Sequence, residues 1–208
     1  MAEARMKEIL SVLKREYPDS QCSLIHESPF QLLIATMLSA QCTDERVNQV
    51  TPALFQRFPT PEAMAGAKLE AIEALIRSTN FYKNKAKAIL QTSRTLVEKY
   101  GGQVPRELGQ LTELRGVGRK TANVVLGVIF NIPSLVVDTH VGRLSLRMGF
   151  TRSKDPVQVE QQLMQLVPKQ DWTLLAHLWI DHGRKICTAR KAKCEICPLK
   201  TLCPKEGL

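Results

Sequence analysis

The segment Leu114-Arg115-Gly116-Val117-Gly118-Arg119-Lys120-Thr121-Ala122 decides the fold. Before it, Leu108, Leu111 and Leu114 share one helical face behind Pro105; after it, Ala122, Val125, Leu126 and Ile129 share another. The spacing predicts two short helices joined by a tight turn that holds Gly116 and Gly118. Glycine accepts positive φ and lets another backbone come close. The second helix then presents its N-terminal N–H groups at Gly118 and Arg119, where the helix dipole favours an anion such as a DNA phosphate. An ordinary joint between two helices, with no ligand, would use the same glycines. Arg115, Arg119 and Lys120 favour phosphate, because a packing joint has no need of three cations.

Helical periodicity extends outward from this hairpin over the whole chain. Met6, Ile9, Leu10 and Leu13 form one apolar stripe. Ser28-Pro29 reads as an N-cap with proline at the first helical position, opening the run Leu32 to Leu38. Thr43 before Asp44 and Glu45 reads as another start, with Val47, Val50 and Leu54 on one face. Leu69, Ile72, Leu75 and Ile76 predict a further helix. Ala86 to Val97 predicts one ending at Gly101-Gly102, Val157 to Val167 another, and Leu174 to Ile186 the last. Only Leu135-Val136-Val137 has strand character, and it is too short to build a sheet. The expected fold class is all-α, made of many short helices.

Composition agrees. The chain has 208 residues, 44% hydrophobic but only 5% aromatic, which suits a core of Leu, Ile, Val and Ala between packed helices. The net charge of +9 and pI of about 9.4 predict attraction to polyanions, nucleic acid first and a membrane surface second. No stretch approaches the ~20 apolar residues of a membrane span. Met1 to Tyr17 mixes charges at helical spacing and has no apolar signal core, so the expected setting is cytoplasmic and reducing. Cys22 and Cys42 stand alone and are expected to be buried thiols.

The remaining cysteines, Cys187, Cys194, Cys197 and Cys203, read C-x6-C-x2-C-x5-C. In a reducing compartment, four thiols so close together indicate a metal centre before two disulfides. Structural zinc usually takes two close pairs, whereas all-cysteine ligation also suits a [4Fe–4S] cluster. Spacing leaves both open. From Arg184 to Lys200 there are six basic residues and one acidic residue, Glu195, so Arg184, Arg190, Lys191 and Lys193 are candidates to meet phosphates.

Two side chains carry candidate chemistry. Lys120 falls in the first turn of the second hairpin helix, where the positive dipole end, and burial if present, disfavour its charged form. Lowering a lysine pKa from about 10.4 by about three units is worth about 4 kcal/mol and creates a nucleophile. A plain phosphate contact is the other reading. Asp138, before Thr139, His140 and Val141, reads first as a helix N-cap.

The chain resembles the helix-hairpin-helix DNA glycosylases, and among them the endonuclease III family. The resemblance rests on Gly116-Val117-Gly118-Arg119-Lys120-Thr121-Ala122, Leu38-Ser39-Ala40-Gln41, Val137-Asp138-Thr139-His140-Val141, His182-Gly183-Arg184 and the four-cysteine spacing. These lie in family order from about residue 28 to 203. The resemblance implies a six-helix domain over 22–132 that includes the hairpin. It also implies a cluster domain made of 1–21 with 133–208, and a cleft between the two holding Lys120 and Asp138. It places the family's lysine nucleophile on Lys120 and its catalytic aspartate on Asp138, and it implies a [4Fe–4S] cluster on the four cysteines. The implied activity is a bifunctional DNA glycosylase and abasic-site lyase for oxidised pyrimidines. Its implied partner is double-stranded DNA containing damaged pyrimidines or abasic sites, bound by a monomer, with no membrane.

An enzyme that acts on a base must take it out of the stack, and something must fill the gap. The resemblance assigns that to Gln41, which by itself reads equally as a glutamine capping its own helix. Thr79-Asn80-Phe81-Tyr82-Lys83 matches a second family loop that wedges into the opposite strand, with Arg77, Lys83, Lys85 and Lys87 around it. Phe81 is the candidate wedge or else a core phenylalanine. His140 is placed close to the DNA backbone. Three positions depart from the family: Asn80 stands for glycine, where asparagine tolerates the positive φ expected there, Phe81 for leucine, and Arg115 for the hairpin proline. A relative that excises adenine opposite oxidised guanine is disfavoured, since it would lack Lys120 and carry a glutamate in the helix of Ile34, Ala35 and Met37. A non-enzymatic DNA-binding module is disfavoured by the presence of both Lys120 and Asp138.

Overall fold

The computed structural model describes residues 2–208. The chain divides into two compact units, one of Ser23–Asn131 and one of the chain up to Cys22 with Ile132–Leu208. In chain order the helices are α1 (Ala2–Glu16), α2 (Pro29–Ser39), α3 (Asp44–Arg57), α4 (Pro61–Ala65), α5 (Leu69–Ile76), α6 (Tyr82–Tyr100), α7 (Leu108–Glu113), α8 (Arg119–Ile129), α9 (Thr139–Arg147), α10 (Pro156–Leu166) and α11 (Trp172–Lys185). Among the described residues there is no strand: Leu135-Val136-Val137 is an irregular segment whose Leu135 and Val136 are buried. None of these helices is long and apolar enough to cross a membrane.

The unit Ser23–Asn131 is built around α2. Its Phe30, Leu32, Leu33, Ile34, Ala35, Met37 and Leu38 are buried nearly all round, as befits a helix enclosed by others. Each such aliphatic side chain contributes about 1.5–3 kcal/mol of transfer free energy. Ser28 caps α2 by accepting from Gln31 N, and Thr43 caps α3 by accepting from Arg46 N. α2 packs on α3, α6 and α8, α5 on α3 and α6, α4 on α6, and α7 on α8. This unit has seven helices, not six. The unforeseen one is α4, whose five residues are too few to show an apolar period. Its start was written nonetheless in Thr60-Pro61, for Thr60 accepts from Ala63 N.

In the other unit, α11 packs on α1 and α9, and α10 on α1 and α9. Met6, Ile9, Leu10 and Leu13 of α1 are buried as the stripe predicted. In α10 the buried face is Val159 and Leu163; Val157, expected on that face, is exposed. Gly183 marks a close approach of α11 to α9, since a Cβ there would lie 2.7 Å from His140 Nδ1. Cys22 and Cys42 are half-buried, not buried.

Candidate nucleic-acid interface and cysteine site

α7 and α8 are the hairpin helices, and the turn between them needs only one of its glycines for conformation. Gly116 has φ +80°, and a Cβ on it would meet Ala88 Cβ at 3.0 Å and Met37 Cε at 3.3 Å. Val117 N donates to Leu114 O at 3.0 Å, Thr92 Oγ1 donates to Arg115 O at 2.8 Å, and the Val117 side chain is buried. Val117 therefore pins the turn to the core and offers only its backbone to a ligand. Gly118 is different. It is the N-cap of α8 in ordinary extended backbone, and a Cβ there would meet nothing within 4 Å. Neither backbone conformation nor packing within the unit requires glycine at this position, although glycine serves as an N-cap better than alanine would.

Arg115, Arg119 and Lys120 are all exposed at this turn. Lys120 lies in the first turn of α8, as expected, and is exposed, not buried. Asp138 is the N-cap of α9, accepting at Oδ1 from His140 N at 2.9 Å and Val141 N at 2.8 Å. The capping bonds hold one carboxylate oxygen in a fixed direction. His140 is half-buried, and its ring nitrogen Nδ1 is 3.1 Å from Arg143 Nη2. Burial pushes the His140 pKa down, Asp138 opposes that, and Arg143 and Arg184 reinforce it.

The Gln41 loop and the Phe81 loop meet within the unit Ser23–Asn131. Both residues are exposed and both have left-handed backbones, at φ +52° and +58°. The positive φ expected at Asn80 falls on Phe81 instead. Asn80 Nδ2 instead donates to Gln41 O at 2.6 Å. Phe81, 61% exposed, is not a core residue. Lys85, grouped by sequence with the surrounding cations, turns inward: its buried ammonium donates to Leu38 O at 2.7 Å. Desolvation lowers its pKa, with Cys42 opposing. Gln41, Cys42, Thr43, Arg46, Ser78 and Asn80 line an open groove beside the two loops.

Cys187, Cys194, Cys197 and Cys203 all line one cavity, partly open to solvent, with Met148, Ile186 and Leu199 in its wall. Among the described residues no group of three or more His, Cys, Asp or Glu side chains is placed to hold a metal ion. Burial raises the Cys197 and Cys203 pKa values, and the neighbouring cysteines raise them further. Two arginines of α9 support this cavity. Arg147 Nη1 donates to Cys187 Sγ at 3.3 Å and to Thr188 O at 2.8 Å; Arg143 donates to Gly183 O and Cys187 O. Buried His182 stands 3.1 Å from Tyr17 Oη and 3.6 Å from Cys197 Sγ, and burial pushes its pKa down to about 4. Sequence reasoning missed the supporting roles of Tyr17, Arg143 and Arg147. Tyr17 and His182 are 165 residues apart, so no local pattern could pair them. Arg184, Arg190, Lys191 and Lys193 are all exposed, and Lys193 also lines the cavity.

With α7, α8 and the exposed basic turn between them, the chain carries a helix-hairpin-helix. The family model described as the HhH-GPD superfamily base excision DNA repair protein matches residues 34–169. The chain is 52% identical over 201 residues to Endonuclease III of Synechocystis, covering 96% of this chain and 92% of that one. It is 48% identical to Endonuclease III of Bacillus subtilis, covering 92% and 87%. The solved structure of a trapped Endonuclease III–DNA covalent intermediate, an estranged-adenine complex, aligns with TM-score 0.94 and 44% identity, covering 99% of this chain and 97% of that one. The chain belongs to the endonuclease III family.

Proposed function

We propose that this chain is a bifunctional DNA glycosylase and abasic-site lyase that removes oxidised pyrimidines from duplex DNA during base excision repair. The observation that carries this is its near full-length similarity to an Endonuclease III trapped as a covalent intermediate with DNA. A covalent link needs a nucleophile, and the hairpin carries an exposed primary amine, Lys120. In this reading the neutral Lys120 amine attacks C1′ of the damaged nucleotide as the C1′–N bond breaks and the base departs; the C1′–O4′ bond then opens, O4′ takes up the proton the amine gives, and a Schiff base forms. Loss of a proton from C2′ then expels the 3′ phosphate and nicks the strand. Asp138 stabilises the cationic sugar and assists proton transfer from Lys120, while the bonds from His140 N and Val141 N keep its carboxylate in place. Gln41 fills the gap left by the extruded nucleotide, and Phe81 wedges the opposite strand. Arg115, Gly116, Val117, Gly118 and Arg119 grip phosphate mainly through the turn's backbone and charges. His140, Arg184, Arg190, Lys191 and Lys193 extend the contact with the DNA backbone.

Cys187, Cys194, Cys197 and Cys203 would hold a [4Fe–4S] cluster. The fit is supported by the donor set, four thiols around one cavity with an arginine N–H on Cys187 Sγ. When bound, the cluster supplies rigidity: it holds the loop Thr188 to Lys193, which carries Arg190, Lys191 and Lys193.

Borohydride reduction tests the mechanism. The protein should become covalently attached to duplex DNA bearing an oxidised pyrimidine, and Lys120→Gln should abolish attachment. Continued trapping of the variant removes Lys120 from the role.

A further inference from the structure

Two exposed residues with left-handed backbones, Gln41 and Phe81, sit on neighbouring loops, and one side chain joins them. We propose that Asn80 is a positioning residue: its amide locks Gln41 in the gap-filling turn and makes the Gln41 and Phe81 loops move as one. This rests on the functional reading above and adds to it a bond that glycine, the residue the family resemblance leads one to expect at position 80, has no side chain to make.

The geometry explains why a lock is useful. A left-handed residue other than glycine is held against its own preference, so the turn needs restraint from outside. Gln41 is exposed, at the edge of the open groove. Its turn carries one internal bond, from Cys42 N to Ser39 O at 3.1 Å. The other restraints come from the start of α6. Asn80 Nδ2 holds Gln41 O at 2.6 Å, and buried Lys85 Nζ holds Leu38 O at 2.7 Å, one turn back along α2. Asn80 directly precedes Phe81, whose carbonyl starts α6 by accepting from Lys85 N at 3.0 Å. The same short segment therefore fixes both candidate probes of the duplex. A side chain that must enter a base stack pays less ordering entropy when its backbone is already set. The gain should appear in binding to DNA whose gap must be filled.

The test is a double-mutant cycle on binding to a duplex with a tetrahydrofuran abasic analogue, which cannot be cleaved. Asn80→Ala should weaken binding about fivefold, the worth of one hydrogen bond. Asn80→Asp, which keeps the size but cannot donate, should lose as much or more. In the Gln41→Ala background, Asn80→Ala should cause a clearly smaller loss, the part that acts through the Phe81 loop alone. An equal loss in both backgrounds, or no loss in either, overturns the proposal, because a merely structural residue would not couple to Gln41. Failure of the unaltered enzyme to be trapped by borohydride on abasic duplex would instead overturn the underlying functional reading.

Discussion

Asp138 joins a structural role to a proposed chemical one in one side chain, and the two can be separated. It caps α9 through two backbone N–H groups. Asn accepts the same bonds, so Asp138→Asn should leave the melting temperature nearly unchanged while removing the charge proposed to stabilise the sugar cation. Asp138→Ala loses both. The lost cap costs about 1 kcal/mol, or about 2–4 °C in a chain of this size. Calorimetry set beside lesion cleavage checks this: if Asn cleaves as well as Asp, the carboxylate has no catalytic part. The cap was legible in the sequence because an N-cap is a local signal. Lys85 shows the opposite case. Its neighbours Lys83 and Lys87 made it look like one of a basic patch, and only the position of Leu38 O, 47 residues away in the chain, turned it inward.

Among the elements, the hairpin separates its two glycines. Gly116→Ala meets a positive φ and two contacts at 3.0 and 3.3 Å, so it should destabilise the protein by about 1–3 kcal/mol. Gly118→Ala has open space and ordinary backbone. It should cost under about 1 kcal/mol, mainly as a poorer N-cap, yet weaken DNA binding noticeably. Thermal melts and binding to abasic-analogue duplex distinguish these. If Gly118→Ala binds DNA like the unaltered protein, the turn does not approach phosphate at that residue. The glycine pair, its flanking apolar stripes and the caps Ser28, Thr43 and Asp138 were readable because each depends on residues within one or two turns. Helix α4 was not, because five residues carry no period. The backbone strain of the Gln41 and Phe81 loops was not either, because it is maintained by a bond between them.

For the whole molecule, the charge of +9 makes DNA affinity depend on salt. Arg190 is exposed on the loop after Cys187. If it neutralises one phosphate, Arg190→Ala should lower the slope of log K against log salt by about 0.9. An unchanged slope would place that side chain off the DNA. Cys194→Ser should deplete iron and acid-labile sulfide from the purified protein and weaken DNA binding as the loop loosens. Full iron content in that variant would remove Cys194 from the ligand set. The chain by itself determined the all-helical class, the hairpin, the helix caps and the four-thiol motif, because each is written in short-range spacing that physical chemistry reads directly. Only the tertiary structure decided which cation is buried, which glycine is conformationally required and which loops share a hydrogen bond. Those outcomes depend on groups far apart in the chain whose meeting no local period records.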